Sequence, residues 1–173
     1  MSVQLARATA EKLVERLGLN TAPIDVEKIA EDLGLRVVAE DLGTEISGLL
    51  VSKDGMASIA VERSEPPVRK RFTIAHEIGH FLLRHHLQRN ELVHADEHWQ
   101  VIYRSPRASE GLEPMEVQAN QFAASLLMPM KLVRDRVEKL QKPLTEKDVK
   151  ALTSEFKVSE QAMTIRLSGL GLI

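Results

Sequence analysis

The segment RFTIAHEIGHFLLRHH, residues 71–86, concentrates side chains that can bind a metal ion or transfer a proton, and it holds four of the six histidines of the chain. His76 and His80 are four residues apart, so on a helix both imidazoles lie on one face and can converge on one ion. Glu77 would lie about 100° around the helix from His76, where a general base can take a proton from metal-activated water. The spacing therefore indicates metal-dependent hydrolysis. The alternative is a solvated helix end with surface histidines.

A metal site of this kind needs a third protein ligand. The chain contains no cysteine, so this ligand must be a histidine or a carboxylate. His85 and His86 are expected to lie too near the end of the same helix to turn back onto the ion. His94 and His98 belong to a polar segment without helical apolar periodicity, so they are expected to be solvated. The remaining candidates are Asp96, Glu97, Glu110, Glu113 and Glu116.

Glu116 begins EVQANQFAASLLMP, the most strongly helical segment after the histidines. Ala119 and Ala123 share its face of that helix, and two such small side chains would allow close approach to the histidine helix. Gly79 supports this packing, because glycine inside a helix costs about 1 kcal/mol relative to alanine and suggests a close neighbour. Spacing alone does not decide between Glu116 and Glu113. A favourable charge near a helix N-terminus is the alternative reading of Glu116.

The elements that must position these residues follow from the period of the apolar pattern. Strands are predicted over residues 35–39, 47–51, 57–61 and 99–103. The second and third of these flank SKDG, so they are predicted to form a β-hairpin. Helices are predicted before Gly18, before Gly34, after Pro67, over 113–127, over 129–140, after Thr145 and after Ser159. The pattern indicates an α+β fold, with a small sheet early and helices afterwards.

The bulk composition limits the function classes. Length of 173 residues suits one domain with a real core. A net charge of -2 argues against nucleic-acid binding that is driven by the overall charge of the protein. The absence of cysteine excludes a disulfide framework. The first residues, MSVQLARATAEKLVERLGL, form an amphipathic pattern and not a signal peptide, and no apolar run approaches a membrane span, so a cytoplasmic protein is predicted.

RFTIAHEIGHFLL followed by EVQANQFAASLLMP resembles the ImmA/IrrE family of bacterial and phage metallopeptidases. The pattern of that family is a helix with HExxH, followed by E-x-x-A-N-x-F-A-A-x-L-L-M-P. The similarity extends through APIDVEKIAEDLGLRVV and the hairpin, so it covers about residues 1–130. The two motifs are specific together, and the flanking segments are less so. The resemblance implies a minimal zincin-like fold, in which a small twisted sheet packs on the two motif helices.

The resemblance also implies roles for residues. His76, His80 and Glu116 would ligate the metal, and Glu77 would be the catalytic acid/base. Zn²⁺ is the expected ion, with Mn²⁺ or another divalent metal as the alternative. Members of the family act on helix-turn-helix repressors, often under stress, so a repressor encoded nearby is the expected substrate. The alternatives are a repressor-docking module with little or no cleavage, and a DNA-binding regulator that uses its C-terminal helices.

Two further expectations concern the substrate. A peptide is expected to bind extended and to pair with an exposed edge strand of the early sheet, with one strand of the 47–61 hairpin as the favoured edge. No motif assigns the group that stabilises the transition state. Tyr103 and Arg104, on the strand predicted at 99–103, and Asn120, after Glu116, are candidates for that role or for supporting the metal ligands. An ordinary strand position is the alternative for the first two.

The chain is predicted to divide into a zincin-like core, residues 1–128, and a helical extension packed on it, residues 129–173. The extension contains a helix, a short turn and a helix. Its basic residues Lys147, Lys150 and Arg166 alternate with acidic ones, and this gives no basic stripe for phosphates. The extension is therefore expected to position a protein partner, and direct DNA binding is not expected.

Overall fold

A computed structural model describes residues 2–43, 46–53, 56–85, 93–96, 99–106 and 114–173. Side chains are described within these ranges except at 52–53, 93–96 and 99–106. The helices of the described chain are α1 (Val3–Arg16), α2 (Val26–Asp32), α3 (Pro67–Leu82), α4 (Pro114–Leu127), α5 (Met130–Val137), α6 (Glu146–Phe156) and α7 (Glu160–Gly169). Its strands are β1 (Arg36–Glu40), β2 (Ile46–Lys53), β3 (Met56–Glu62), β4 (Val93–Asp96) and β5 (Trp99–Pro106).

Side-chain caps define where several helices begin. Asp25 accepts a hydrogen bond from the backbone N–H of Lys28 at the start of α2. Thr145 and Asp148 form a reciprocal capping box at the start of α6. Ser159 accepts from the N–H of Ala162 and begins α7. Each cap satisfies a backbone donor that the first turn of a helix leaves without a partner.

The strands form a mixed sheet in the order β1-β3-β2-β5-β4. Strands β2 and β3 pair antiparallel from Lys53 opposite Met56 onward, which confirms the predicted hairpin, while β1 runs parallel to β3. The expectation that this hairpin offers an edge is wrong, because β3 lies between β1 and β2, and β2 lies between β3 and β5. The edges of the described sheet are β1 and β4.

The sequence did not predict strand β4, which contains His94 and pairs antiparallel with β5. Its residues, VHAD, alternate apolar and polar, which is the pattern of a half-exposed strand. A run of four residues is too short for this alternation to be decisive. His94 therefore lies on a strand. The spacing of four residues to His98 does not indicate the one-turn pairing that it would indicate on a helix. His98 lies outside the described residues.

Helix α3 occupies the centre of the fold, between the sheet and the other helices. It packs against β2 and β3 and against α4, and α4 in turn packs against α1. Ile74 and Ile78 of α3 share one buried apolar cluster with Phe122 and Leu126 of α4. The predicted α+β arrangement is confirmed: the small sheet packs on α3, and α3 packs on α4.

The last three helices join this same core. Apolar side chains from α5, α6 and α7, among them Val133, Phe156 and Met163, belong to the cluster that contains the motif helices. Arg166 of α7 is buried and donates to the Met128 carbonyl at 2.9 Å and to Glu11 of α1 at 3.0 Å. Its guanidinium therefore faces the interior. The division of the chain at residue 128 stays a prediction.

Within the described parts of the chain, no helix combines the length and the apolar character that crossing a membrane requires.

Candidate metal centre

Three side chains that can bind a metal converge between α3 and α4. The Nε2 atoms of His76 and His80 lie 2.9 Å apart. Glu116, on the first turn of α4, places Oε2 3.2 Å from His76 Nε2 and Oε1 3.6 Å from His80 Nε2. All three residues are at most 5% exposed. Among the described residues, this is the group of histidines and carboxylates whose geometry could hold a metal ion.

The spacing of these atoms suits a small divalent cation. A tetrahedral zinc ion with ligands at about 2.05 Å would separate neighbouring ligand atoms by about 3.3 Å. The three observed separations lie between 2.9 and 3.6 Å, so they bracket that value. The donor set of two imidazole nitrogens and one carboxylate is also chemically suited to zinc and to several other divalent ions. The residues present therefore fit the metal, although they do not identify it.

Close packing of α3 on α4 brings the ligands together. A Cβ atom on Gly79 would lie only 3.0 Å from the ring of Phe122, so glycine is what allows this approach. Ala119 and Ala123 of α4 are fully buried. The close approach predicted from these small residues is present, and the neighbour that Gly79 accommodates is an aromatic ring.

Glu77 is fully buried on the side of α3 that faces β2. A Cβ atom on Gly48 of β2 would lie 2.9 Å from Glu77 Oε1 and 2.5 Å from Thr73 Cγ2. Gly48 therefore makes room for the carboxylate at a place where the strand and the helix nearly touch. Gly48 lies inside the strand predicted at 47–51, and glycine inside a strand often marks a close approach.

Gly48→Ala is expected to displace the Glu77 carboxylate, because the added Cβ atom would lie 2.9 Å from Glu77 Oε1. It should also reduce the free energy of unfolding by about 1–3 kcal/mol through overpacking. The matched control is Gly169→Ala, since a Cβ atom there would have no neighbour within 4 Å. Urea unfolding measures this loss of stability. Wild-type stability in Gly48→Ala would contradict the crowding argument.

The histidine helix lies in the interior of the fold. Every residue of α3 from Thr73 to His80 is buried. The reason is that the sheet covers one side of this helix and α4 covers the other. The alternative of surface histidines at a solvated helix end does not hold for His76 or His80.

Both ligand histidines have a polar neighbour on their second ring nitrogen. His76 Nδ1 donates to Asn120 Oδ1 at 2.9 Å, so Asn120 supports a candidate ligand. His80 Nδ1 lies 2.8 Å from His85 Nδ1, and His85 Nε2 lies 3.1 Å from Gln118 Oε1. Such contacts orient the ring and select its tautomer. Sequence reasoning did not identify the roles of His85 and Gln118.

His85 does turn back toward the centre, contrary to expectation, although it contacts a ligand and not the ion position. The reversal occurs at Arg84, whose φ of 55° is left-handed and ends the helical path after α3. His85 is fully buried. Burial lowers the pKa of His85 below its ordinary value, against the raising effects of the Gln118 hydrogen bond and the Glu116 charge. These conditions favour the neutral imidazole.

Two further candidates, Tyr103 and Arg104, lie on β5, opposite Leu50 and Leu49 of β2. Their side chains lie outside the described residues. Their proposed catalytic role stays a prediction. The alternative third ligands also stay untested, because Glu97, Glu110 and Glu113 lie outside the described residues and the side chain of Asp96 is not described. His86 lies outside the described residues as well.

Comparison with known proteins identifies a family and solved structures of similar fold. The family model described as Peptidase M78, IrrE N-terminal-like domain, matches residues 30–168. A Mycobacterium tuberculosis transcriptional regulator has a similar fold, with a TM-score of 0.63 and 19% sequence identity over 96% of this chain and 47% of that chain. The chain therefore spans about half the length of that regulator. Among curated proteins, none matches this chain significantly.

Proposed function

This chain belongs to the Peptidase M78 family of IrrE N-terminal-like domains, and on that premise we propose that it is a metal-dependent endopeptidase that cleaves a helix-turn-helix transcriptional repressor. The observation that carries the proposal is the buried convergence of His76, His80 and Glu116, with Glu77 beside His76 in the sequence. A metallopeptidase role accounts for all four residues together.

The roles of the four residues follow from their chemistry. His76 and His80 would hold the ion through Nε2, and Glu116 would hold it through its carboxylate. Zn²⁺, or Mn²⁺ in its place, would polarise the scissile carbonyl and make a water molecule acidic near neutral pH. Asn120 would keep the proton of His76 on Nδ1, because its Oδ1 atom accepts only.

Glu77 would carry the proton that hydrolysis must move. Its carboxylate accepts a proton from the attacking water, whose oxygen bonds to the peptide carbon. The C–N bond then breaks, and Glu77 returns the proton to the leaving nitrogen. Its position between α3 and Gly48 shields this carboxylate from bulk water, which restricts proton exchange with solvent.

The substrate class rests on the family and not on a contact in the structure. A repressor encoded beside this gene is the substrate that we propose, and residues 129–173 would help to position it. Arg166 supports a protein partner over DNA, because its guanidinium is committed to Met128 and Glu11 inside the fold. Lys147 and Lys150 are exposed beside acidic neighbours.

The full chain, supplied with Zn²⁺ or Mn²⁺, is expected to cut the neighbouring repressor into two fragments whose masses sum to the repressor plus one water. Intact-mass spectrometry measures this directly. A chelator should stop the reaction, and added metal should restore it. A repressor that is bound but stays intact would instead identify a docking module. Tight binding to duplex DNA that weakens steeply with salt would support a DNA-binding regulator.

A further inference from the structure

We propose that Gln118 and His85 form a hydrogen-bond relay that fixes the tautomer of His80, so that His80 presents the lone pair of Nε2 to the metal centre. This inference rests on the proposed role of His80 as a ligand. It assigns to Gln118 and His85 a positioning role, since neither faces the position of the ion.

The relay is a chain of three side chains from two elements and the turn that follows α3. His80 Nδ1 and His85 Nδ1 are 2.8 Å apart, and the rings meet edge to face with centroids 4.9 Å apart. His85 Nε2 and Gln118 Oε1 are 3.1 Å apart. His80 and His85 are fully buried and Gln118 is 4% exposed, so bulk water does not replace these hydrogen bonds.

The positions of the protons follow from the acceptor at the end of the relay. Gln118 Oε1 can only accept, so the proton of a neutral His85 lies on Nε2. His85 Nδ1 then carries a lone pair and accepts from His80, whose own proton therefore lies on Nδ1. The remaining nitrogen, His80 Nε2, therefore carries no proton, and its lone pair faces His76 and Glu116. A metal ligand requires this form of the ring.

A hydrogen-bond donor in place of the Gln118 oxygen would reverse the direction of both hydrogen bonds in the relay. If a donor replaced Oε1, His85 would carry its proton on Nδ1 and would donate to His80. The proton of His80 would then lie on Nε2, between the two histidines, where it would oppose metal binding. One amide oxygen on α4 therefore selects between a ring that can bind metal and a ring that cannot.

For His76, a single hydrogen bond is enough to fix the tautomer. His76 Nδ1 donates directly to Asn120 Oδ1. Asn120 and Gln118 both lie on α4, as does Glu116, so this helix supplies one direct ligand and the acceptors that orient both histidines. His80 needs an intermediate because its second nitrogen faces His85 and not α4.

The test compares Gln118→Met, which keeps the size and removes the acceptor, with the wild-type protein. Ring nitrogen chemical shifts measured by NMR report the tautomer of His80 in the metal-free and Zn²⁺-loaded protein. Competition with a chromophoric chelator reports zinc affinity. Gln121→Met controls for the loss of a glutamine from α4, since Gln121 contacts Arg7 and not the relay.

We expect wild-type protein to carry the His80 proton on Nδ1 in both states. Gln118→Met should show mixed tautomers in the metal-free protein and about 10–100-fold weaker zinc binding, while Gln121→Met stays at the wild-type value. An unchanged tautomer and unchanged affinity in folded Gln118→Met would overturn the relay. If that variant does not fold, a wild-type protein with the His80 proton on Nε2 would overturn it equally.

These readouts separate the relay from the proposed function. If wild-type protein binds zinc but cleaves no repressor, the tautomer comparison still decides the relay. If the metal-free protein shows the expected tautomers but binds no zinc, the relay holds and the metallopeptidase proposal fails.

Discussion

Replacement of Glu77 by glutamine is expected to slow peptide cleavage by about a thousandfold, in line with the loss of a general base. The change removes the basic oxygen and keeps the size of the side chain, so the tight space beside Gly48 stays filled. Metal content and fold should therefore be preserved. Repressor cleavage under single-turnover conditions, metal analysis and circular dichroism measure the three properties.

The matched control is Glu138→Gln, which changes an exposed glutamate to the same amide. It should cleave at the wild-type rate. Cleavage by Glu77→Gln at that rate, with metal bound, would show that another group takes the proton. A variant that loses its metal would instead place Glu77 among the ligands.

The parts of the fold that the sequence predicted are governed by local rules. The helix containing His76 and His80 shows regular apolar spacing, and Thr145 and Ser159 cap their helices as expected. The hairpin of β2 and β3 also forms between neighbouring segments. In each case, side chains a few residues apart determine the structure, and these are visible in the sequence alone.

The order of the strands in the sheet could not be predicted from local sequence patterns. The pairing of β2 with β5 joins residues that are far apart in the sequence, such as Gly48 and Ser105, and it converts an expected edge strand into an interior one. Nothing in the pattern of either strand specifies its neighbour. An extended peptide would therefore have to pair elsewhere than along the 47–61 hairpin.

The hydrogen bonds of His85 and Gln118 beside the candidate ligand His80 were not predicted, for a related reason. The position of His85 depends on a left-handed backbone at Arg84, a conformation that sequence rules assign to glycine or asparagine. Gln118 was overlooked because its partner, His85, is brought to it only by that reversal. In contrast, Gly48 carried a usable signal, since a glycine inside a strand often marks close approach to another group.

The choice between Glu116 and Glu113 was left open by spacing, and it leads to the second large expected effect. Wild-type protein should bind one metal ion per chain, and His80→Ala and Glu116→Ala should lose it. Glu113→Ala is the matched control, because it removes the competing carboxylate three positions away. Inductively coupled plasma mass spectrometry of dialysed protein measures the metal content. Retained metal in Glu116→Ala together with its loss in Glu113→Ala would transfer the ligand role to Glu113.

Stability gives an independent measure of the same ligand. Metal at a hundred times its Kd should raise the free energy of unfolding of the wild-type protein by about 2.7 kcal/mol. Glu116→Ala should gain almost none of this, because the ion would lose the carboxylate that now lies within 3.6 Å of both histidines. The metal-free variant should be about as stable as metal-free wild type or more so, since it no longer buries a carboxylate beside two imidazoles. A variant that is destabilised without metal, and still stabilised normally by it, would make Glu116 a structural residue and not a ligand.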